Sequence, residues 1–168
     1  MKNITLIGMP GSGKSTVGVL LAKVLGYNFL DVDLLIQQRE GALLQEILNE
    51  RGTERFLDAE AAAICSVECP APTVIAPGGS AVCRAQAMEH LKALGTVVYL
   101  RLSYGDLEGR IHNLGSRGIA MEPGQTLRDI YDYRAPLYEA YADRVADVGG
   151  STLEQALAAV LRTLVAGE

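Results

Sequence analysis

Short apolar runs alternate along this chain with longer stretches whose apolar residues recur at helical spacing. Asn3–Gly8 is a nearly unbroken apolar run, the pattern of a strand covered on both faces. Asn28–Asp31, Thr73–Ala76, Thr96–Leu102 and Arg144–Val148 are the other strand-like segments. Between them the spacing predicts helices over Lys14–Leu25, Leu34–Glu40, Leu43–Glu50, Thr53–Val67, Ala85–Ala93, Tyr104–His112 and Thr126–Tyr141. Gly26 suits a helix end, and Gly41 and Gly52 read as breaks. Leu153, Leu157, Val160, Leu161, Leu164 and Val165 form one stripe of a last helix. Strands that alternate with helices predict an α/β fold, a parallel sheet of five strands wrapped by helices. Asn113–Gly124 has three glycines, one proline and no helical period, which predicts a mobile loop. No repeat or linker interrupts the pattern, so residues 1–168 read as a single domain.

Composition narrows the function more than the fold. With 49% apolar residues, the 168-residue chain can bury a full core without disulfides or metal. Its net charge is −5, and no run of Lys or Arg exceeds two residues, which argues against a nucleic-acid partner. No signal peptide or bilayer-length apolar stretch shows, so the expectation is a soluble cytoplasmic protein without membrane contact. Cys65 and Cys69, four apart, are expected on one helix face with Cys83 elsewhere, as packing residues in a reducing compartment.

The chemistry begins at Gly8-Met9-Pro10-Gly11-Ser12-Gly13-Lys14-Ser15, a full match to the phosphate-loop pattern, with Thr16 following. Such a loop curls backbone N–H groups around an anion, and the helix behind it points its positive end at the same place. Lys14 can reach the β- and γ-phosphates and the Ser15 hydroxyl can ligate Mg²⁺, with Gly11, Ser12, Gly13 and Thr16 completing the nucleotide site. The strand before and the helix after supply the context the pattern needs. An Asn-Lys-x-Asp guanine-reading segment is lacking, and the chain is small for a motor ATPase. Asp31-Val32-Asp33 closes the second strand, at the sheet end where α/β proteins place their ligands. One carboxylate can serve Mg²⁺ and the other an acceptor; the bland alternative makes Asp33 the N-cap of the following helix.

The phosphate loop, the two aspartates, Phe56…Glu60, Pro77-Gly78-Gly79-Ser80-Ala81-Val82 and Arg134-Ala135-Pro136-Leu137-Tyr138 together resemble shikimate kinase. The ordered set runs from residue 4 to about residue 148 and is far more specific than the loop alone. The resemblance implies a P-loop fold like that of nucleoside-monophosphate kinases, with strand order 2-3-1-4-5. It also implies ATP and Mg²⁺, with the 3-hydroxyl of shikimate as phosphoryl acceptor in aromatic amino-acid synthesis. By the same likeness Lys14 and Arg117 attend the transferring phosphoryl group, Ser15 and Asp31 the metal, and Asp33 the acceptor hydroxyls as base. Gly78, Gly79, Ser80 and Arg134 would line the acceptor pocket, and Arg110 would pack on adenine. Residues 33–67 would carry the acceptor-binding helices and 113–124 a lid, in a protein that works as a monomer.

The sequence departs from this family on the acceptor side. Leu57 stands where the family has an arginine that binds the substrate carboxylate, and Ser80 where a third glycine is common. Gln37 replaces a glutamate, the lid keeps only its arginine, and Gly149-Gly150-Ser151 lacks the adenine-side arginine and proline. Two other readings therefore stay open: a kinase of this fold for a less acidic hydroxylated metabolite, and a nucleotide-binding regulatory domain.

Overall fold

The protein, a computed structural model, is described here for residues 2–111 and 118–166. Its strands are β1 (Asn3–Ile7), β2 (Asn28–Asp31), β3 (Thr73–Ala76), β4 (Gly95–Arg101) and β5 (Arg144–Asp147). They form one parallel sheet in the order β2-β3-β1-β4-β5. The apolar runs are central because both sheet faces are covered: Leu6, Ile7, Val74, Ile75, Val97 and Val98 are essentially inaccessible. β2, one of the two edge strands, is only partly buried and its sequence is correspondingly more polar.

The helices are α1 (Lys14–Leu25), α2 (Val32–Glu40), α3 (Leu44–Cys65), α4 (Ala85–Leu94), α5 (Tyr104–Arg110), α6 (Leu127–Tyr141) and α7 (Leu153–Val165). α1 packs closely because Gly18 has no side chain; a methyl there would meet the Phe29 ring at 2.8 Å. No described helix is long and apolar enough to cross a membrane.

Local physics explains where the elements differ from the sequence pattern. α2 begins at Val32 because Asp31, not Asp33, is its N-cap: the Asp31 carboxylate accepts from the N–H groups of Asp33 and Leu34. The two helices expected on either side of Gly52 continue as one path, kinked where Gly52 takes φ 79° and ψ 171°. Gln37 turns out to be structural, its side-chain oxygen accepting from the Leu44 N–H at the start of α3. Ala81–Cys83 forms a single 3-10 turn inside what reads as loop. The shared helix face expected for Cys65 and Cys69 is not formed, since α3 ends at Cys65 and Cys69 lies beyond it. All three thiols are free; Cys65 is exposed, so only Cys69 and Cys83 pack against the core.

Candidate active site

The phosphate loop leaves β1 at the carboxyl edge of the sheet and returns into α1. Gly11 adopts φ 81°, a left-handed conformation, and a methyl on it would strike Ile111 at 2.9 Å, so geometry and space both demand glycine. Lys14 opens α1, and its ammonium donates to the carbonyls of Gly8 at 2.8 Å and Met9 at 2.9 Å. It is almost fully buried, and burial lowers its pKa to about 8, against the pull of the Asp33 carboxylate. The ammonium is therefore poorly solvated and held by two weak carbonyl partners. An anionic phosphate is a far stronger partner for it.

Ser15 begins the exposed rim, where its hydroxyl donates to Asp31 Oδ2 at 3.4 Å. Hydroxyl and carboxylate oxygens are the hard donors that Mg²⁺ prefers, and that ion usually keeps waters and phosphate oxygens for its remaining positions. The pair fits this ion. Among the described residues no cluster of three or more His, Cys, Asp or Glu offers a closed metal cage. Asp33 points inward, and its pKa is raised, first by burial and then by the neighbouring Asp31 charge, with Lys14 opposing.

These groups share a cavity of about 330 Å³ with Phe56 and Glu60 of α3, Pro77–Ser80, and Arg134 of α6. Gly118, Ile119 and Ala120 close one side. Close approach explains the two glycines: a methyl on Gly79 would hit the Pro10 ring at 2.6 Å, and one on Gly78 would lie 2.8 Å from Glu60 Oε2. Arg134 is 4% exposed and donates to the Ala120 carbonyl at 2.6 Å, so its position is set by the segment at 118–120. Tyr138, one turn further along α6, stacks on Tyr99 and donates to the Gly79 carbonyl, which ties α6 to the glycine pair.

The cavity thus unites Gly11, Gly13, Lys14, Ser15, Thr16, Asp33, Gly78, Gly79, Ser80 and Arg134 from the sequence-predicted set. Ser12 lies just behind the loop, buried, its hydroxyl without a hydrogen-bond partner among the described residues. Asp31 stands at the rim with Ser15 rather than on the lining. Arg110 is apart from the cavity, its guanidinium donating to the Val148 carbonyl at 3.3 Å where β5 ends. Arg117 lies outside the described residues. Leu57 also departs from expectation. It is buried and faces a neighbouring cavity of about 190 Å³, with Cys83, Arg84 and Arg134, rather than the phosphate-loop cavity.

Sequence reading undervalued Glu60, which is 1% exposed. Its Oε1 accepts from the Ser80 hydroxyl at 2.7 Å, and its Oε2 has no hydrogen-bond partner among the described residues. Burial pushes its pKa up to about 7; the Ser80 hydrogen bond opposes this, Asp33 adds to it, and Arg134 and Lys14 oppose it. One hydrogen bond to the ionised carboxylate contributes about 2 kcal/mol, less than burying an isolated carboxylate costs, so burial prevails. The signal available in the sequence was an acid three positions after the apolar Leu57, inside an otherwise Ala-rich helix.

A phosphate loop at the sheet edge, a partly buried acid facing its lysine and a small adjoining acceptor space define a P-loop phosphotransferase for a small hydroxylated molecule. The shikimate kinase family model matches residues 10–165. A shikimate kinase of Thermodesulfovibrio yellowstonii is 36% identical over 96% of this chain and 94% of its own length. One from Pseudomonas paraeruginosa is 40% identical over 88% of this chain and 87% of its own. Among solved structures, a shikimate kinase from Acinetobacter baumannii in complex with shikimate superposes with a TM-score of 0.88 at 30% identity, covering 100% of this chain and 95% of that one. The chain belongs to the shikimate kinase family.

Proposed function

We propose that this protein transfers the γ-phosphoryl group of ATP to the 3-hydroxyl of shikimate. The observation that carries the reading is the cavity in which the Lys14 ammonium and the partly buried Asp33 carboxylate meet beside Gly78, Gly79 and Arg134. Family membership names the acceptor, and the cavity fits its chemistry: hydroxyls for Asp33, a carboxylate for Arg134.

Asp33 takes the proton as the 3-hydroxyl oxygen attacks phosphorus. The new O–P bond forms while the bond to the β-phosphate oxygen breaks, and ADP carries away the electron pair. A raised pKa makes Asp33 a better base than an exposed aspartate. Lys14 and the N–H groups at the start of α1 hold the charge that spreads over the phosphoryl oxygens. Ser15 and Asp31 would hold Mg²⁺, which supplies charge neutralisation on the phosphates. Gly78 and Gly79 give the acceptor close access to backbone, and Ser80 lines the wall. Arg110 would serve the adenine side and Arg117 the transferring phosphoryl group. Residues 1–168 act as one kinase domain, in a protein that works as a monomer. ATP as substrate and three free thiols suit the cytoplasm.

The test is ADP release measured with shikimate and with a panel of polyols, sugar acids and hydroxy acids. Saturable, shikimate-dependent release with phosphate on the 3-oxygen of the product is the expected result. Turnover only with another acceptor would overturn the assignment. That second reading has one observation in its favour: Lys14 and Arg134 are the only cations among the described residues lining the cavity. A weakly acidic acceptor needs no second arginine.

A further inference from the structure

Two carboxyl groups converge over the bare α-carbon of Gly78. A methyl there would stand 2.8 Å from Glu60 Oε2 and 3.1 Å from Asp33 Oδ1. Asp33 is assigned above to the reacting hydroxyl, whereas Glu60 has been given no role toward the acceptor. Its two oxygens are unequal. Oε1 is engaged by the Ser80 hydroxyl at 2.7 Å, and Oε2 is buried at the cavity wall over Gly78, without a hydrogen-bond partner among the described residues. Ser80 is itself buried and held in place by the turn it opens, where the Cys83 N–H donates to its carbonyl at 2.9 Å.

We infer that Ser80 and Glu60 act as a hydroxyl-reading pair: Ser80 occupies Oε1, so that Oε2 carries a proton and donates it in a hydrogen bond to the acceptor oxygen next to the one Asp33 takes. Ser80 is then a positioning residue and Glu60 a neutral binding group. The acceptor class this defines is a vicinal diol, with one hydroxyl donating to Asp33 and its neighbour accepting from Glu60. The inference rests on the acceptor assignment above and sharpens it.

The surroundings favour the neutral acid. Charged groups face Glu60 from three helices: Lys14 of α1, Asp33 of α2 and Arg134 of α6. Two cations and one anion leave a modest net attraction for a negative charge, and Leu57 supplies none. Burial outweighs that attraction and holds the group half-protonated near pH 7. A charged Glu60 beside Asp33 would place two anions around one acceptor, whereas a protonated one supplies the donor that Asp33 lacks.

Glutamine is the mimic of a protonated glutamate: its oxygen can accept from Ser80 while its NH₂ donates to the acceptor. With shikimate as acceptor, Glu60→Gln is expected to lose less than about threefold in kcat/KM, and Glu60→Ala more than about tenfold. Wild-type KM should rise as pH passes upward through about 7, and Glu60→Gln should flatten that rise. Ser80→Ala should raise KM about fivefold, with a smaller change in kcat. Carbon NMR of labelled glutamate carboxyls, with Glu60 assigned by its disappearance in Glu60→Gln, reads the pair without turnover. Ser80→Ala should move the Glu60 midpoint upward, because the lost hydrogen bond favours the ionised form. A midpoint that Ser80→Ala leaves in place overturns the inference, as does Glu60→Gln proving as damaging as Glu60→Ala. If wild type does not turn over shikimate, the acceptor assignment falls, and the NMR titration alone then decides the pair.

Discussion

The two halves of the cavity are built in different ways. The phosphate half comes from one continuous segment, residues 8–16, which offers backbone N–H groups and the start of α1 to an anion. The acceptor half is assembled from side chains on α2, α3, the Gly78–Ser80 turn and α6, separated by up to a hundred residues of chain. In the first half each position is fixed by loop geometry, as Gly11 shows with its φ of 81° against Ile111. In the second, contacts between residues distant along the chain set the geometry. Ser80, 20 residues from Glu60 along the chain, supplies its hydrogen bond. A contiguous site is set by local geometry; an assembled one is set by tertiary packing.

The largest expected effect lies where the halves meet. Asp33→Asn should lower kcat on the order of a thousandfold, because asparagine cannot accept the hydroxyl proton. ATP affinity should change less than about twofold, since Asp33 faces the acceptor rather than the phosphates. Equal turnover by variant and wild type would remove Asp33 from the chemistry. Its reduction to a helix cap is already excluded, since Asp31 is the cap.

On the phosphate side, Lys14→Ala should leave a folded protein whose kcat is at least about a hundredfold lower. Its melting temperature should not fall, because the variant also removes a desolvated ammonium. Near-normal turnover with a confirmed acceptor would break the division proposed between the halves.

Glu60 sharpens the comparison through stability. Its native pKa of about 7 lies above its ordinary value of 4.5, so between these pH values the folded state binds more protons than the unfolded one. Stability therefore falls as pH rises through that window, by roughly 3 kcal/mol in full. Glu60→Gln escapes this loss and should melt several degrees higher than wild type at about pH 8, an advantage that disappears near pH 4.5. Equal melting at both pH values would show that the buried carboxyl is not destabilised.

The smallest effect tests the exchange at Leu57. Leu57→Arg should improve kcat/KM for shikimate about tenfold, mostly through KM, equivalent to about 1.4 kcal/mol. The new guanidinium would start in the neighbouring cavity beside Arg84 and Arg134. Arg84 is already matched there by Glu54 at 2.6 Å and Asp58 at 3.1 Å. The same change gives up a buried leucine and should cost about 2 kcal/mol of stability. If the acceptor is less acidic, the charge is left without a partner and kcat/KM for that acceptor falls instead.

The sequence by itself determined the five strands, the phosphate loop and the placement of Lys14, Ser15 and Asp33 in one site. These follow from local rules: apolar periodicity sets the elements, glycine spacing sets the loop, and a strand end in an α/β sheet sets where ligands lie. The elements that departed from expectation were those governed by contacts distant in sequence or by the competition of two short-range signals. Asp31 rather than Asp33 caps α2, because which carboxylate reaches the free N–H groups depends on the turn out of β2. Leu57 faces the neighbouring cavity, because the kink at Gly52 and the packing of α3 set the rotation of its face. The state of Glu60 was beyond the sequence altogether. Its proton depends on how much water is excluded, on Ser80, and on charges at residues 14, 33 and 134, and only the folded chain brings these together.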